Sequence, residues 1–213
     1  MRFRHLLLAG GLSLAIIGPA CASVITQDTR YDGGSGPALA ASFLSSFASL
    51  AAGTGTNYGV TTNIASWSGL RNQYGYYNDV ATEMTAQFSV GAGQAGSWNF
   101  QTGGDGDFGG ALFLDGALIG SNMSNFATDP AVTANSVTVS AGNHTLAWVT
   151  FDSCCDGGYD SGRFETPGAA SFTTFAASDG LAAPTGVPEP ASFAILMVGL
   201  LGMWGFQKVG FRA

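Results

Sequence analysis

The stretch DVATEMTAQFSV, residues 79–90, decides the fold class. Val80, Thr82, Met84, Ala86, Phe88 and Val90 share one parity, while Asp79, Glu83, Gln87 and Ser89 take the other. Successive side chains of an extended chain point to opposite faces, so this period of two marks a half-buried strand. Outward from it, SWNFQ (97–101) repeats the pattern, with Trp98 and Phe100 facing one way and Ser97, Asn99 and Gln101 the other. ALFLDGALIG (111–120) sets Asp115-Gly116 between two apolar arms, and that dipeptide suits a type I′ hairpin, which needs positive φ at both turn positions. SVTVSAGNHTLAWVTF (136–151) reads as a second pair of strands around residues 141–143, and ASFTTFAA (170–177) as a last strand. Short, closely spaced strands with glycine-rich joints predict a mainly β fold, an antiparallel sandwich or jelly roll.

One segment departs from that pattern. GPALAASFLSSFASLAAGTG (36–55) places Leu39, Phe43, Phe47 and Leu50 at helical spacings, with Pro37 near the start and Gly53 after the end. The spacing predicts a core-facing helix over about residues 38–52. The segment has no basic face, which argues against an interfacial membrane helix.

The two ends of the chain point to export. Arg2 and Arg4 precede an apolar run over 6–17, and Ala20-Cys21-Ala22 forms a small-residue exit. That is signal-peptide anatomy, which predicts a signal peptide over 1–22 with cleavage after Ala22. Cys21 has an alternative reading as a lipoprotein cysteine, although leucine is missing from the third position upstream. At the other end, Pro188-Glu189-Pro190 precedes an apolar run over 191–206, followed by Lys208 and Arg212. As a helix the run spans roughly 24 Å at 1.5 Å per residue, short of a hydrocarbon core of about 30 Å unless its flanks join in. The plain reading is a carboxy-terminal membrane anchor with its basic residues on the cytoplasmic side.

Residues 184–213, from the Pro-Glu-Pro through the helix to the basic end, resemble the PEP-CTERM sorting signal of exported bacterial proteins. The tail departs from the family pattern in carrying two separated basic residues in place of an arginine cluster. The resemblance implies recognition by an exosortase, cleavage near Pro188-Glu189-Pro190, passage through the inner membrane, and delivery to the cell surface or its exopolysaccharide.

Between the ends, residues 23–183 suit one extracellular domain. From 23 to 186 there are thirteen acidic residues and three basic ones, Arg30, Arg71 and Arg163, giving about ten net negative charges. With no basic patch to meet phosphates, nucleic acid is excluded as a partner.

Support for catalysis is thin. His144 opens a strand after a turn, with no serine or cysteine motif to make it a base partner. The carboxylates are numerous enough for a glycosidase pair, but a net-acidic surface carries such residues for solvation. Metal binding has more to recommend it. GGDGDFGG supplies Asp105 and Asp107, and FDSCCDGGYDSG supplies Asp152, Asp156 and Asp160. Oxygen-rich loops freed by glycine suit calcium, although the spacing differs from an EF-hand and the same residues serve as soluble turns. Asp115, closing the nearby hairpin, is a further ligand-binding candidate, with Trp148, Tyr159, Trp98 and Trp67 as stacking groups.

Cys154 and Cys155 are adjacent, which does not suit a zinc site, since structural zinc ligands are spaced C-x₂₋₄-C and need two more soft partners. In an oxidising compartment three outcomes stand: a vicinal disulfide, two intermolecular bridges, or two free thiols. The vicinal ring is strained, because neighbouring Cα atoms lie about 3.8 Å apart, inside the usual disulfide minimum of about 4.4 Å.

The stretch from about Trp98 to Phe175, which contains Cys154-Cys155-Asp156-Gly157, resembles the exported PEP-CTERM proteins named for a Cys-Cys-x-Gly loop. More remotely, its aspartate-glycine approach and Leu-x-Leu-Asp-Gly hairpin are similar to the protective-antigen lectin-like β-sandwich. That family often binds sugar through calcium held by consecutive aspartates; here Gly106 separates Asp105 from Asp107, so the ligand set does not transfer residue by residue. The combined expectation is a non-catalytic surface or matrix protein binding glycan, with exopolysaccharide as partner. The alternatives are a purely structural matrix protein, and a secreted glycosidase or thiol-redox protein.

Overall fold

The computed structural model describes residues 23–53, 58–71, 78–153 and 159–184. The predicted signal peptide, the carboxy-terminal sorting segment with its apolar helix, and Cys154, Cys155 and Asp156 lie outside the described residues. Among the described residues no helix is long and apolar enough to cross a membrane.

Ten strands are described: β1 (Val24–Tyr31), β2 (Gly59–Thr61), β3 (Val80–Val90), β4 (Gly96–Gly106), β5 (Gly110–Leu114), β6 (Ala117–Asn122), β7 (Phe126–Val139), β8 (Gly142–Asp152), β9 (Ser161–Glu165) and β10 (Thr173–Thr174). They form an antiparallel six-stranded sheet, in order β2-β1-β3-β8-β5-β6, and a four-stranded sheet, β10-β9-β4-β7. The expected sandwich is the fold observed.

The period of two in β3 does what it predicts. Met84, Ala86 and Phe88 are fully buried between the sheets, and β4 sends Trp98 and Phe100 to meet them from the other side. Trp98 stacks on Phe88, Phe100 and Phe164 at centroid separations of 5.8, 5.9 and 5.6 Å. Each such aromatic contributes about 1.5–3 kcal/mol through burial, with a smaller geometric term from the offset ring contacts.

The hairpin at Asp115-Gly116 is of the expected type, with φ of 51° and 80°. Asp115 fastens it: Oδ1 accepts the Thr145 N–H at 2.8 Å, and Oδ2 lies 2.7 Å from His144 Nδ1. His144 Nε2 in turn lies 2.9 Å from the Ser140 carbonyl. Both ring nitrogens therefore face oxygen acceptors, and the histidine braces the start of β8 against two turns.

Two expectations are corrected. The strands around residues 141–143 are both present, but they do not pair with each other. β7 pairs with β4, whereas β8 crosses to the other sheet and pairs with β3 over eleven residues, from Val80↔Asp152 to Val90↔Gly142. Alternation within a strand marks its buried face and carries no label for its neighbour. The helix is also shorter than expected. A 3-10 turn at Ala40–Ser42 leads into α1 (Phe43–Ser49). Leu39 is extended and 70 % exposed. Phe43 and Phe47, one turn apart, are buried on the outer face of the six-stranded sheet, where Ala81, Ala111 and Ala147 leave room and Phe43 meets Phe151 edge-on at 5.3 Å, while Ala40, Leu44 and Leu50 pack against them half-buried. At the far end Arg30 stops the helix: Nη1 donates to the carbonyls of Phe47 and Leu50, both at 3.1 Å, while the guanidinium pairs with Asp28 and lies over the Phe47 ring.

Candidate functional site

The aspartates singled out in the sequence divide between the two ends of the sandwich. Asp115 sits beside Thr145 near the beginning of β8, and Asp107 beside Ser153 just past its end. Eight residues at about 3.3 Å each put roughly 26 Å between these points. Asp115 is a turn anchor, apart from the other candidates.

At the opposite end, Asp107 acts as a latch. Its Oδ2 accepts the Ser153 N–H at 3.1 Å and the Ser153 hydroxyl at 2.8 Å, and Oδ1 accepts from Asn125 Nδ2 at 2.6 Å. The turn between β4 and β5 is thereby tied to the residue before Cys154. Asp152 is buried at the end of β8, and Asp160 is buried at the start of the following segment. Asp160 exchanges backbone hydrogen bonds with Leu70 at 2.8 and 2.9 Å.

Burial pushes the Asp160 carboxyl up to about 7; the Trp148 indole N–H opposes this and nearby Asp105 adds to it. Trp148 Nε1 comes close enough to influence the charge but does not reach hydrogen-bond geometry, and Asp160 Oδ1 has no hydrogen-bond partner. Gly104 makes this packing possible, since a Cβ there would fall 2.7 Å from Asp160 Oδ1. Gly103 plays the same part on the other face, where a Cβ would meet Asp129 at 2.6 Å. The glycines of GGDGD are thus required by close approach of neighbouring side chains.

The calcium candidates are placed as follows. Among the described residues no three His, Cys, Asp or Glu side chains converge as a metal ion requires. Asp107 is occupied by Ser153 and Asn125, and Asp160 is enclosed against Trp148. Calcium also takes backbone and amide oxygens, and the remaining member of the expected set, Asp156, lies outside the described residues.

The stacking expectation is corrected for three residues. Trp67, Trp98 and Trp148 are each 0 % exposed and belong to the core between the sheets. Tyr159 is 52 % exposed. It borders a cavity of about 290 Å³ lined also by Gly104, Asp105, Ala127, Thr128 and Asp129. Two arginines flank this cavity. The Arg163 guanidinium pairs with Asp129, and that of Arg71 lies 4.3 Å over the Tyr159 ring. Asp129, Thr128, Arg71 and Arg163 escaped the sequence reading, although scarcity of basic residues was a usable signal: two of the three arginines between residues 23 and 186 stand here.

No family model matches the chain, and no curated protein matches it. Solved structures do match in fold. One is the PA14 sugar-binding domain from an RTX adhesin, 14 % identical, with a TM-score of 0.50, over 76 % of this chain and 99 % of that one. Another is the PA14 domain of the MpAFP antifreeze protein, 16 % identical, with a TM-score of 0.51, over 78 % of this chain and 93 % of that one.

Proposed function

We propose that this chain is an exported, non-catalytic adhesive module that binds glycan, exopolysaccharide foremost, in the cavity beside Tyr159. The observation that carries the reading is the half-exposed tyrosine on a cavity with two aspartates; among the described residues Tyr31 is the other strongly exposed aromatic side chain. Sugar rings present apolar C–H faces that pack on an aromatic ring, and carboxylates accept from their hydroxyls. The fold likeness to a PA14 domain that binds sugar is consistent with this use. His144 is held by Asp115 and Ser140 at the other end of the sandwich, away from this cavity.

The sorting half of the reading rests on sequence alone: Pro188-Glu189-Pro190, the apolar run and the basic end support handling by an exosortase and display on the cell surface or in the extracellular matrix. The binding half is tested by retention of the mature domain on the polysaccharide of its own organism. Tyr159→Ala is expected to abolish retention with little loss of stability. Equal retention of wild type and variant would refute the cavity as the site, and no retention by wild type would remove the glycan reading. Running both arms with calcium and with a chelator shows whether retention requires calcium.

A further inference from the structure

A bulge in β7 builds one wall of the cavity. Pairing between β4 and β7 includes Thr102↔Val132 and resumes at Gly104↔Thr128, so Asp129, Pro130 and Ala131 all stand opposite the single residue Gly103. A bulge re-aims a side chain. Here Asp129 lies against Gly103, where a Cβ would fall 2.6 Å from its Oδ1, and it lines the cavity. On the other side of β4, Gly103 pairs with Ser161 of β9. Arg163 follows Ser161 by two residues in the same strand and so shares its face. Its guanidinium pairs with Asp129. The ion pair therefore reaches from β9 to β7 across β4, two strand spacings of about 4.8 Å each, over a residue that offers no side chain to obstruct it.

A carboxylate on a bulge selects a hydroxyl group only when its rotamer is already fixed, because ordering it on binding would consume the gain. We propose that Arg163 is a positioning residue of this site: it holds the Asp129 carboxylate and the β7 bulge in the orientation that meets the hydroxyl groups of a ligand, and it acts on the ligand through Asp129. The planar guanidinium suits this task, since it binds a carboxylate with a fixed direction where an ammonium binds it as a point charge. Folding gains little from the pair, whose side chains are 32 % and 35 % exposed. What the pair supplies is order at the cavity wall. The proposal rests on the glycan reading above and names the group that prepares the site.

The test measures the affinity of the mature domain for the immobilised exopolysaccharide of its own organism by biolayer interferometry. Arg163→Met is expected to weaken binding about tenfold, roughly the worth of one well-placed hydrogen bond. Arg163→Lys, which keeps the charge without the planar fork, should recover part of the loss. Asp129→Asn should weaken binding as Arg163→Met does, and the double variant should lose no more than either alone, because residues that act through one another are not additive. Melting temperature should change little in all of these. Gly103→Ala keeps both charges but pushes Asp129 aside; it should also weaken binding, and it carries the test should Arg163→Met fail to fold. Unchanged affinity in whichever of these two folds overturns the inference and leaves the glycan reading standing. Additive losses in the double variant overturn it as well, since they would put Arg163 on the ligand itself. No binding by wild type overturns both readings.

Discussion

Asp160 shows how far burial can shift the chemistry of a single side chain. In the sequence it is one of several aspartates in a glycine-rich loop, readable as a calcium ligand or as a soluble turn residue. In the structure its carboxyl is buried beside Trp148, beneath Gly104, with its pKa pushed up to about 7 by burial first and by Asp105 in addition. Asp32 behaves similarly and is pushed up to about 6: burial is the largest cause, the Gly34 N–H opposes it, and Asp79 adds to it. The consequence for stability has a definite sign. Between the unfolded value of 3.8 and the folded ones, the native state holds protons that the unfolded chain has released. Stability therefore falls as pH rises from about 4 to about 7 and levels off above. Melting temperatures measured across that range should decline in wild type, and Asp160→Asn should flatten most of the decline. A wild-type melting curve that rises with pH over the same window would contradict the burial of both groups.

At the scale of elements, the seven-residue helix α1 depends on what it touches more than on its own propensity, since so short a helix is marginal in isolation. Phe47→Ala should cost about 3–5 kcal/mol in denaturant unfolding, by emptying the contact with Ala81 and its neighbours. Arg30→Met keeps the packing on Phe47 but takes the guanidinium from the Leu50 carbonyl and from the Phe47 carbonyl, which keeps only the Leu50 N–H, and should cost about 1–3 kcal/mol. The hairpin β5–β6 makes a parallel case. Asp115→Ala removes the acceptor for the Thr145 N–H and puts alanine at a φ of 51°, so about 1–3 kcal/mol should be lost, with faster amide exchange at Thr145. This hairpin was legible because its turn residues are demanded by local backbone geometry. The helix boundaries were not, because Arg30, distant in the chain, caps the far end, and Leu39 is extended and exposed where its spacing had placed it in the helix.

For the whole molecule, the expected history of the chain is also testable. Intact mass measurement of protein recovered from the producing cell surface should give an amino terminus near Ser23 and a chain ending near Pro188-Glu189-Pro190; recovery of the intact apolar tail would refute sorting by an exosortase. Thiol titration of the denatured, unreduced domain should find no free thiol if Cys154 and Cys155 form the vicinal ring, and two reactive groups would exclude it. By itself the sequence determined the sandwich class, the buried faces of β3 and β4, the Asp115-Gly116 turn and the acidic balance, because each follows from the alternation, backbone preference or charge of neighbouring residues. Only the tertiary structure decided that β8 crosses to β3 instead of pairing with β7, that Trp148 is core, and that Tyr159, Asp105 and Asp129 share a cavity. Those facts depend on residues far apart in the chain competing for the same neighbours, and a pattern of period two specifies a face without specifying what will lie against it.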